Sequence, residues 1–191
     1  MVGIRPPCPL DHLRTGGLSL RVLQLTQRYA PAIGGVEAHV ANLASRLPAL
    51  GVEVEVFATD LRRDTPFDRF TGPLSDGYPA IRRFRAIRAA DLRHALGNVA
   101  PSMVPAVLDG DWDVLHAHAY GYFPTFAGTV GRLLRRSALV ITPHSDPGRP
   151  TIDKRVFDRV VPSMTLRRAD RVIALTHREA GYLGSLGVSR E

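Results

Sequence analysis

Two histidines one residue apart, His116 and His118, close a short apolar run, Asp113-Val-Leu-His-Ala-His118. On a strand, residues i and i+2 share a face, so the two imidazoles are presented together. A second run, Ser137-Ala-Leu-Val-Ile-Thr142, leads at once into Pro143-His-Ser-Asp146. Three chemistries are open to His116, His118, His144 and Asp146. They could ligate a metal. A histidine could contact a sugar hydroxyl or a phosphate. Or one could simply hydrogen-bond to the loop backbone. Neither a Cys pair nor an H-E-x-x-H helix accompanies them, so no metal ligand set is assigned.

A second kind of chemistry belongs to the backbone. Pro31-Ala-Ile-Gly-Gly-Val-Glu37 lies between an apolar run, Leu20-Arg-Val-Leu-Gln-Leu-Thr26, and an amphipathic stretch, Val36 to Leu50. A Gly-Gly pair at a strand-to-helix turn leaves N–H groups bare at a helix N-terminus, an arrangement that binds phosphates and carboxylates. The fingerprint G-x-G-x-x-G is absent, so this is no standard dinucleotide site. A plain tight turn is the alternative reading of Gly34 and Gly35.

The elements that must hold these groups follow from periodicity. Val36, Val40, Leu43, Leu47 and Leu50 give one apolar helix face, and Gly51 is a stop signal. Val52-Glu-Val-Glu-Val-Phe57 alternates as a strand. Strand, Gly loop, helix, Gly, strand is a βαβ unit with a right-handed crossover. Further on, strands are expected at Tyr78–Phe84, Asp113–His118, Ser137–Thr142 and Arg171–Thr176. Helices are expected at Asp91–Leu108 (divided by Pro101 and Pro105), Tyr122–Arg136, Ile152–Arg168 (bent at Pro162) and His177–Leu186. Asp60 to Gly77 reads as one long loop carrying Phe67 and Phe70. The result is an α/β, doubly wound parallel sheet of about six strands. Its carboxyl edge collects Gly34, Gly35, His116, His118, His144, Asp146 and Thr176. Ligands of such sheets bind beyond that edge.

The chain has 191 residues, 45% hydrophobic, enough for one α/β domain with a proper core. Residues 1–18, rich in Pro and Gly, read as a disordered leader without an apolar signal region, and 19–191 as the domain. A single cysteine, Cys8, rules out an intrachain disulfide and fits a cytoplasmic setting. No apolar run approaches the roughly 20 residues of a bilayer span. Net charge is +7, carried by arginine with Lys154 the only lysine. Clusters at Arg82-Arg83 with Arg85 and Arg88, at Arg132 with Arg135-Arg136, and at Arg167-Arg168 read first as solvated faces. The other reading is attraction to phosphates or to an anionic inner membrane face. No nucleic-acid-binding motif accompanies the charge.

Five pieces, in order, carry a resemblance. They are Pro31-x-x-Gly34-Gly35-x-Glu37, Leu47-x-x-x-Gly51-Val-Glu-Val-Glu-Val-Phe-Ala, Asp113-Val-Leu-His116-Ala-His118, Ile141-Thr-Pro-His144 and Ala169-Asp170-Arg-Val-Ile-Ala-Leu-Thr176. From Leu20 to Leu186 the chain resembles the N-terminal, acceptor-side domain of retaining glycosyltransferase family 4 enzymes. The resemblance implies one Rossmann-like half of a GT-B fold. It implies transfer of a sugar from a nucleotide diphosphate sugar, the donor substrate, to an acceptor hydroxyl with retention, and no cofactor.

Residue by residue, the resemblance puts Gly34 and Gly35 at the donor diphosphate and beside the acceptor, with Glu37 part of the motif. Physically, Glu37 also complements the helix dipole. His118, with His116 as the alternative, falls near the transferred sugar, and His144 near the acceptor pocket. Arg149 is a candidate for an anionic acceptor by its charge and loop position. Family enzymes carry a second, C-terminal nucleotide-binding domain, for which these residues hold no equivalent. The stretch alone is therefore expected to be inactive. The expected partners are the nucleotide-sugar donor, a carbohydrate or lipid-linked acceptor, that second domain, and peripheral contact with the membrane's inner face. Two readings from other classes stand beside this one. The first is a metal-dependent hydrolase of a sugar or amide using His116, His118, His144 and Asp146. The second is a non-catalytic carbohydrate- or phosphate-binding module.

Overall fold

The computed structural model describes residues 19–64, 66–73, 75–76, 80–88, 98–145 and 152–189. Residues 1–18, for which a leader was expected, Tyr78, residues 89–97, Asp146 and Arg149 lie outside them.

The chain alternates strands and helices as β1 (Leu20–Thr26), α1 (Gly35–Arg46), β2 (Val52–Thr59), β3 (Leu61–Arg63), β4 (Asp68–Arg69), β5 (Ser75–Asp76), β6 (Ala80–Phe84), β7 (Ile87–Arg88) and β8 (Asn98–Val99). Then follow α2 (Met103–Asp109), β9 (Val114–His118), α3 (Phe123–Leu134), β10 (Ala138–Thr142), α4 (Ile152–Met164), β11 (Arg171–Val172) and α5 (His177–Ser185). The main sheet runs β11-β10-β9-β1-β2-β6-β5. It is parallel from β11 to β6, and β5 runs antiparallel on the edge. From β1 the chain winds outward one way through β2 and β6, then returns to wind the other way through β9, β10 and β11. The doubly wound α/β sheet expected from the sequence is therefore present. Its reversal point lies between β1 and β9, where such sheets open a crevice beyond the strand ends.

The central strands are covered on both faces, which is why β1, β9 and β10 are near-continuous apolar runs. Leu23, Leu25, Leu115, Leu139 and Ile141 are fully buried, each contributing roughly 1.5–3 kcal/mol. Helix α3 packs close to the sheet because it turns glycines toward it. A Cβ on Gly128 would lie 2.8 Å from Leu25 Cδ1, and one on Gly131 2.6 Å from Leu115 Cδ1. Asp113 and Asp170 set the strand starts. Asp113 accepts from Arg21 N at 2.8 Å. Asp170 accepts from Leu139 N at 2.8 Å and takes both Nε and Nη2 of Arg132.

Several elements depart from the periodicity. The expected apolar face of α1 gives way after Arg46 to a 3-10 turn, Leu47–Leu50, with Pro48 inside it and Leu50 exposed. The residues α1 buries are Glu37, Val40 and Ala44. The long loop after β2 contains the small hairpin β3–β4 and the edge strand β5. Of the helix expected at Asp91–Leu108, the described part is strand β8, paired with β7, followed by α2 alone. β11 stops at Val172, so Thr176 is a helix cap rather than a strand end.

The arginine clusters are largely occupied within the fold. Arg83 is buried, stacks on Phe70 and donates to Ala30 O at 2.5 Å. Arg82 lies over Phe57 and Phe84. Arg132 pairs with Asp170, Arg135 donates to Leu108 O, and Arg167 donates to Leu186 O. Among the described residues no helix is long and apolar enough to cross a membrane.

Candidate functional site

The site is built from the segments that follow β1, β9 and β10. After β1, Gly34 ends an extended segment and α1 begins. Gly34 has no side chain to cap the helix, so the first-turn N–H groups have no cap from that residue. Gly35 is exposed, and a Cβ there would meet nothing within 4 Å. At Gly34 a Cβ would lie 2.2 Å from Glu37 Oε2. Glu37 is folded back rather than aimed outward. It is buried and accepts from Arg28 Nε at 2.7 Å, while Arg28 Nη1 reaches Asp64 at 2.9 Å. The carboxylate at the helix start therefore lies against Gly34 while it is paired with Arg28. Ile33 is 99% exposed beside it.

After β9 and β10 come the histidines. His118 is fully buried at the last position of β9. Its Nε2 lies 2.7 Å from Gln24 Oε1 on β1, and its Nδ1 3.3 Å from His144 Nε2. A carbonyl oxygen only accepts, so His118 donates from Nε2 and keeps the Nδ1 lone pair toward His144. His116 and His118 do share a face, with ring centroids 4.2 Å apart. His116 is tied by Nε2 to Thr142 Oγ1 at 2.8 Å. His144 stands just past β10 with φ +49°, and Ala119 just past β9 with φ +63°. Both occupy the left-handed region that residues with a Cβ rarely adopt, and such strain gathers at functional turns.

A fourth imidazole joins them. His39, one helical turn beyond Gly35 on α1, packs edge-on to His118 (5.6 Å) and His144 (5.0 Å). It joins the open start of α1 and the strand-end histidines into one site.

Three of these imidazoles, His116, His118 and His144, are held toward the neutral form for a definite reason. Burial pushes His116 down to about 4, helped by the neighbouring His39 and His144. Burial likewise drives His118 well below the ordinary histidine range, with His116, His144 and His39 adding to the effect. His144 is lowered by burial and by His39, against the opposing pull of Glu179 and Glu37. A second positive imidazole in this space would meet both a desolvation cost and its neighbour's charge.

Glu179 holds the rim. It is buried on the first turn of α5 and accepts from Ser145 N (2.7 Å), Ser145 Oγ (3.2 Å) and Leu175 N (2.7 Å). This fixes the loop that carries His144. Deeper, Tyr120 donates to Asp158 Oδ1 at 2.8 Å and meets Tyr182 OH at 3.0 Å; burial and these bonds push its hydroxyl pKa up.

Of the residues expected from the sequence, Gly34, Gly35, Glu37, His116, His118 and His144 therefore lie at or near the carboxyl edge of the sheet. Arg149 and Asp146 lie outside the described residues. His39, Gln24 and Glu179 were missed, although each left a trace. His39 is four residues past Gly35, Gln24 is the lone amide in an apolar strand, and Thr176-x-x-Glu179 is a capping-box spacing.

Comparison with known proteins adds three findings. The description Glycosyltransferase Family 4 matches residues 33–191. A GDP-mannose:cellobiosyl-diphosphopolyprenol alpha-mannosyltransferase of Komagataeibacter xylinus is 25% identical over 187 residues, covering 95% of this chain and 45% of that protein. A D-inositol 3-phosphate glycosyltransferase of Streptosporangium roseum is 26% identical over 194 residues, covering 89% of this chain and 41% of that protein. The chain spans less than half the length of the curated relatives it matches.

Proposed function

The chain belongs to glycosyltransferase family 4, and from that premise we propose that it forms the acceptor-side half of a retaining sugar transferase acting on a nucleotide diphosphate sugar. The observation that carries the reading is the meeting of an open helix start, Gly34–Gly35, with a buried neutral histidine, His118, through the shared neighbour His39. The two parts suit the two demands of the reaction. Charge develops on the leaving diphosphate, and bare N–H groups at a helix N-terminus offset it. The transferred sugar is neutral and rich in hydroxyls, and a neutral imidazole accepts from a hydroxyl through Nδ1 in place of its present contact with His144 Nε2. His116 acts from behind, holding the β9 and β10 ends together through Thr142.

The donor nucleotide is held by a second domain outside residues 1–191, in keeping with the share of each relative that the chain spans. Residues 1–191 alone are accordingly inactive. The acceptor carries phosphate. One relative is named for a diphosphopolyprenol acceptor and the other for an inositol phosphate, and Arg149 and His144 are the groups we assign to that phosphate. A lipid-linked acceptor would bring the enzyme to the inner membrane face. Family membership favours this reading over the metal-dependent hydrolase and the binding module.

The test is His118→Ala in the full-length protein, assayed for release of nucleotide diphosphate from a panel of nucleotide sugars with phosphorylated acceptors. Turnover should fall roughly 100-fold with the domain still folded by circular dichroism. Unchanged turnover would remove His118 from the reacting sugar and shift the role to His116.

A further inference from the structure

We propose that His39, His118 and His144 form a site for a divalent transition metal of the zinc type, and that this ion and the sugar substrate exclude one another. The first clause stands on geometry alone; the second rests on the transferase reading.

One ring nitrogen from each of the three histidines lies within 4.8 Å of the other two. Zinc–nitrogen bonds of about 2.0–2.1 Å place tetrahedral ligands about 3.4 Å apart. His118 Nδ1 and His144 Nε2, 3.3 Å apart, already have that spacing. Only His39, half-buried at the surface of α1, has to swing inward. His116 is not part of the set, because its Nε2 is taken by Thr142. The set expected from the sequence therefore changes, with His39 entering through the fold.

One further feature favours an ion. Gln24 Oε1 takes the Nε2 proton of His118 at 2.7 Å, the outer bond that metal-ligating histidines characteristically make. An all-imidazole set takes zinc, cobalt, nickel or copper, and not magnesium or calcium. An ion there would occupy the His118 Nδ1 lone pair that we assign to the sugar hydroxyl.

The experiment is a cobalt(II) titration of chelator-stripped full-length protein, followed by visible d–d absorption, with zinc as competitor. One equivalent should bind with the intense bands of a tetrahedral site and be displaced by zinc. His39→Gln should weaken the affinity at least tenfold, and Gln24→Leu by about 10- to 100-fold. His177→Gln, exposed at the start of α5, should leave it unchanged. No saturable binding, or an affinity untouched by His39→Gln, overturns the site. If His39→Gln does not fold, His144→Gln is read in the same way. The second clause has its own readout: zinc should inhibit sugar transfer in proportion to occupancy. Full transfer by zinc-loaded protein overturns the exclusion, and the assignment of His118 with it, while the cobalt spectrum still reports on the site.

Discussion

Helices α1 and α5 both start at the carboxyl edge of the sheet, and both carry an acidic residue in the first turn, yet they are finished in opposite ways. At α5, Thr176 accepts from Glu179 N at 3.1 Å, and the Glu179 carboxylate turns back onto Leu175 N and Ser145 N. The helix end satisfies itself. At α1 the cap position is Gly34, which has no side chain, and Glu37, lying against Gly34, is paired with Arg28. Two acids at equivalent places thus do different things. Glu179 uses its charge on local backbone donors and stabilises the rim. Glu37 shares its charge with an arginine, and the first-turn donors of α1 receive no side-chain cap from Gly34. The histidines beside α1 turn that opening into a site.

The largest expected effect comes from acid, which acts on His116, His118 and His144. His116 has a folded-state pKa of about 4 against 6.5 for an ordinary histidine. Its depression means that the unfolded chain takes up the proton first. The stability it contributes is complete above pH 6.5 and declines as pH falls toward 4, by about 3 kcal/mol for this group. His118 and His144 shift in the same direction. Urea unfolding at pH 7.5, 6.0 and 5.0 should show a flat upper range and a steep fall below it. A stability independent of pH between 7 and 5 would mean that the cluster is not held neutral.

Next in size is Gly34→Ala, which tests whether Glu37 must stay withdrawn. The new Cβ would lie 2.2 Å from Glu37 Oε2 and press the carboxylate off Arg28. Losing a buried, charged hydrogen bond should cost about 2 kcal/mol in urea unfolding. A change below about 0.5 kcal/mol would show that Glu37 relocates freely.

Gly35→Val is the counterpart one residue on. A Cβ there meets nothing within 4 Å, so stability should stay within about 0.5 kcal/mol. Methyl groups would nevertheless stand where the backbone approaches a diphosphate. Transfer by the full-length enzyme should fall about tenfold, a loss of about 1.4 kcal/mol in transition-state stabilisation. Equal losses of stability and turnover would reduce the loop to a tight turn.

The same contrast explains what could be read from the sequence. The βαβ frame from Leu20 to Thr59 and the strands ending at His118 and Thr142 were legible because apolar period and Gly stops are local signals. The gathering of Gly34, Gly35, His116, His118 and His144 was legible because a doubly wound sheet sends every strand end to one edge. Glu37 was seen as an acid at a helix start, but not as one paired to Arg28. His39 and Gln24 were not legible as partners of His118. Those contacts depend on side-chain directions across α1, β1 and β9, which no spacing encodes. The helix expected at Asp91–Leu108 failed in its described part for the opposite reason. Apolar spacing there was real, but Pro101 and the pairing of Asn98-Val99 with Ile87-Arg88 confined the helix to Met103–Asp109.

The smallest effect belongs to the self-sufficient helix. Thr176→Ala removes one acceptor from the α5 start and leaves the Glu179 carboxylate on Leu175 and Ser145. Loss of a threonine cap costs about 1 kcal/mol, and urea unfolding should show that amount. Turnover should be unchanged, because Ser145 stays fixed by Glu179 and His144 keeps its place. A large loss of turnover with only this small loss of stability would mean that the capped end reaches the chemistry through His144, and the division between a structural helix end and a ligand-facing one would have to be redrawn.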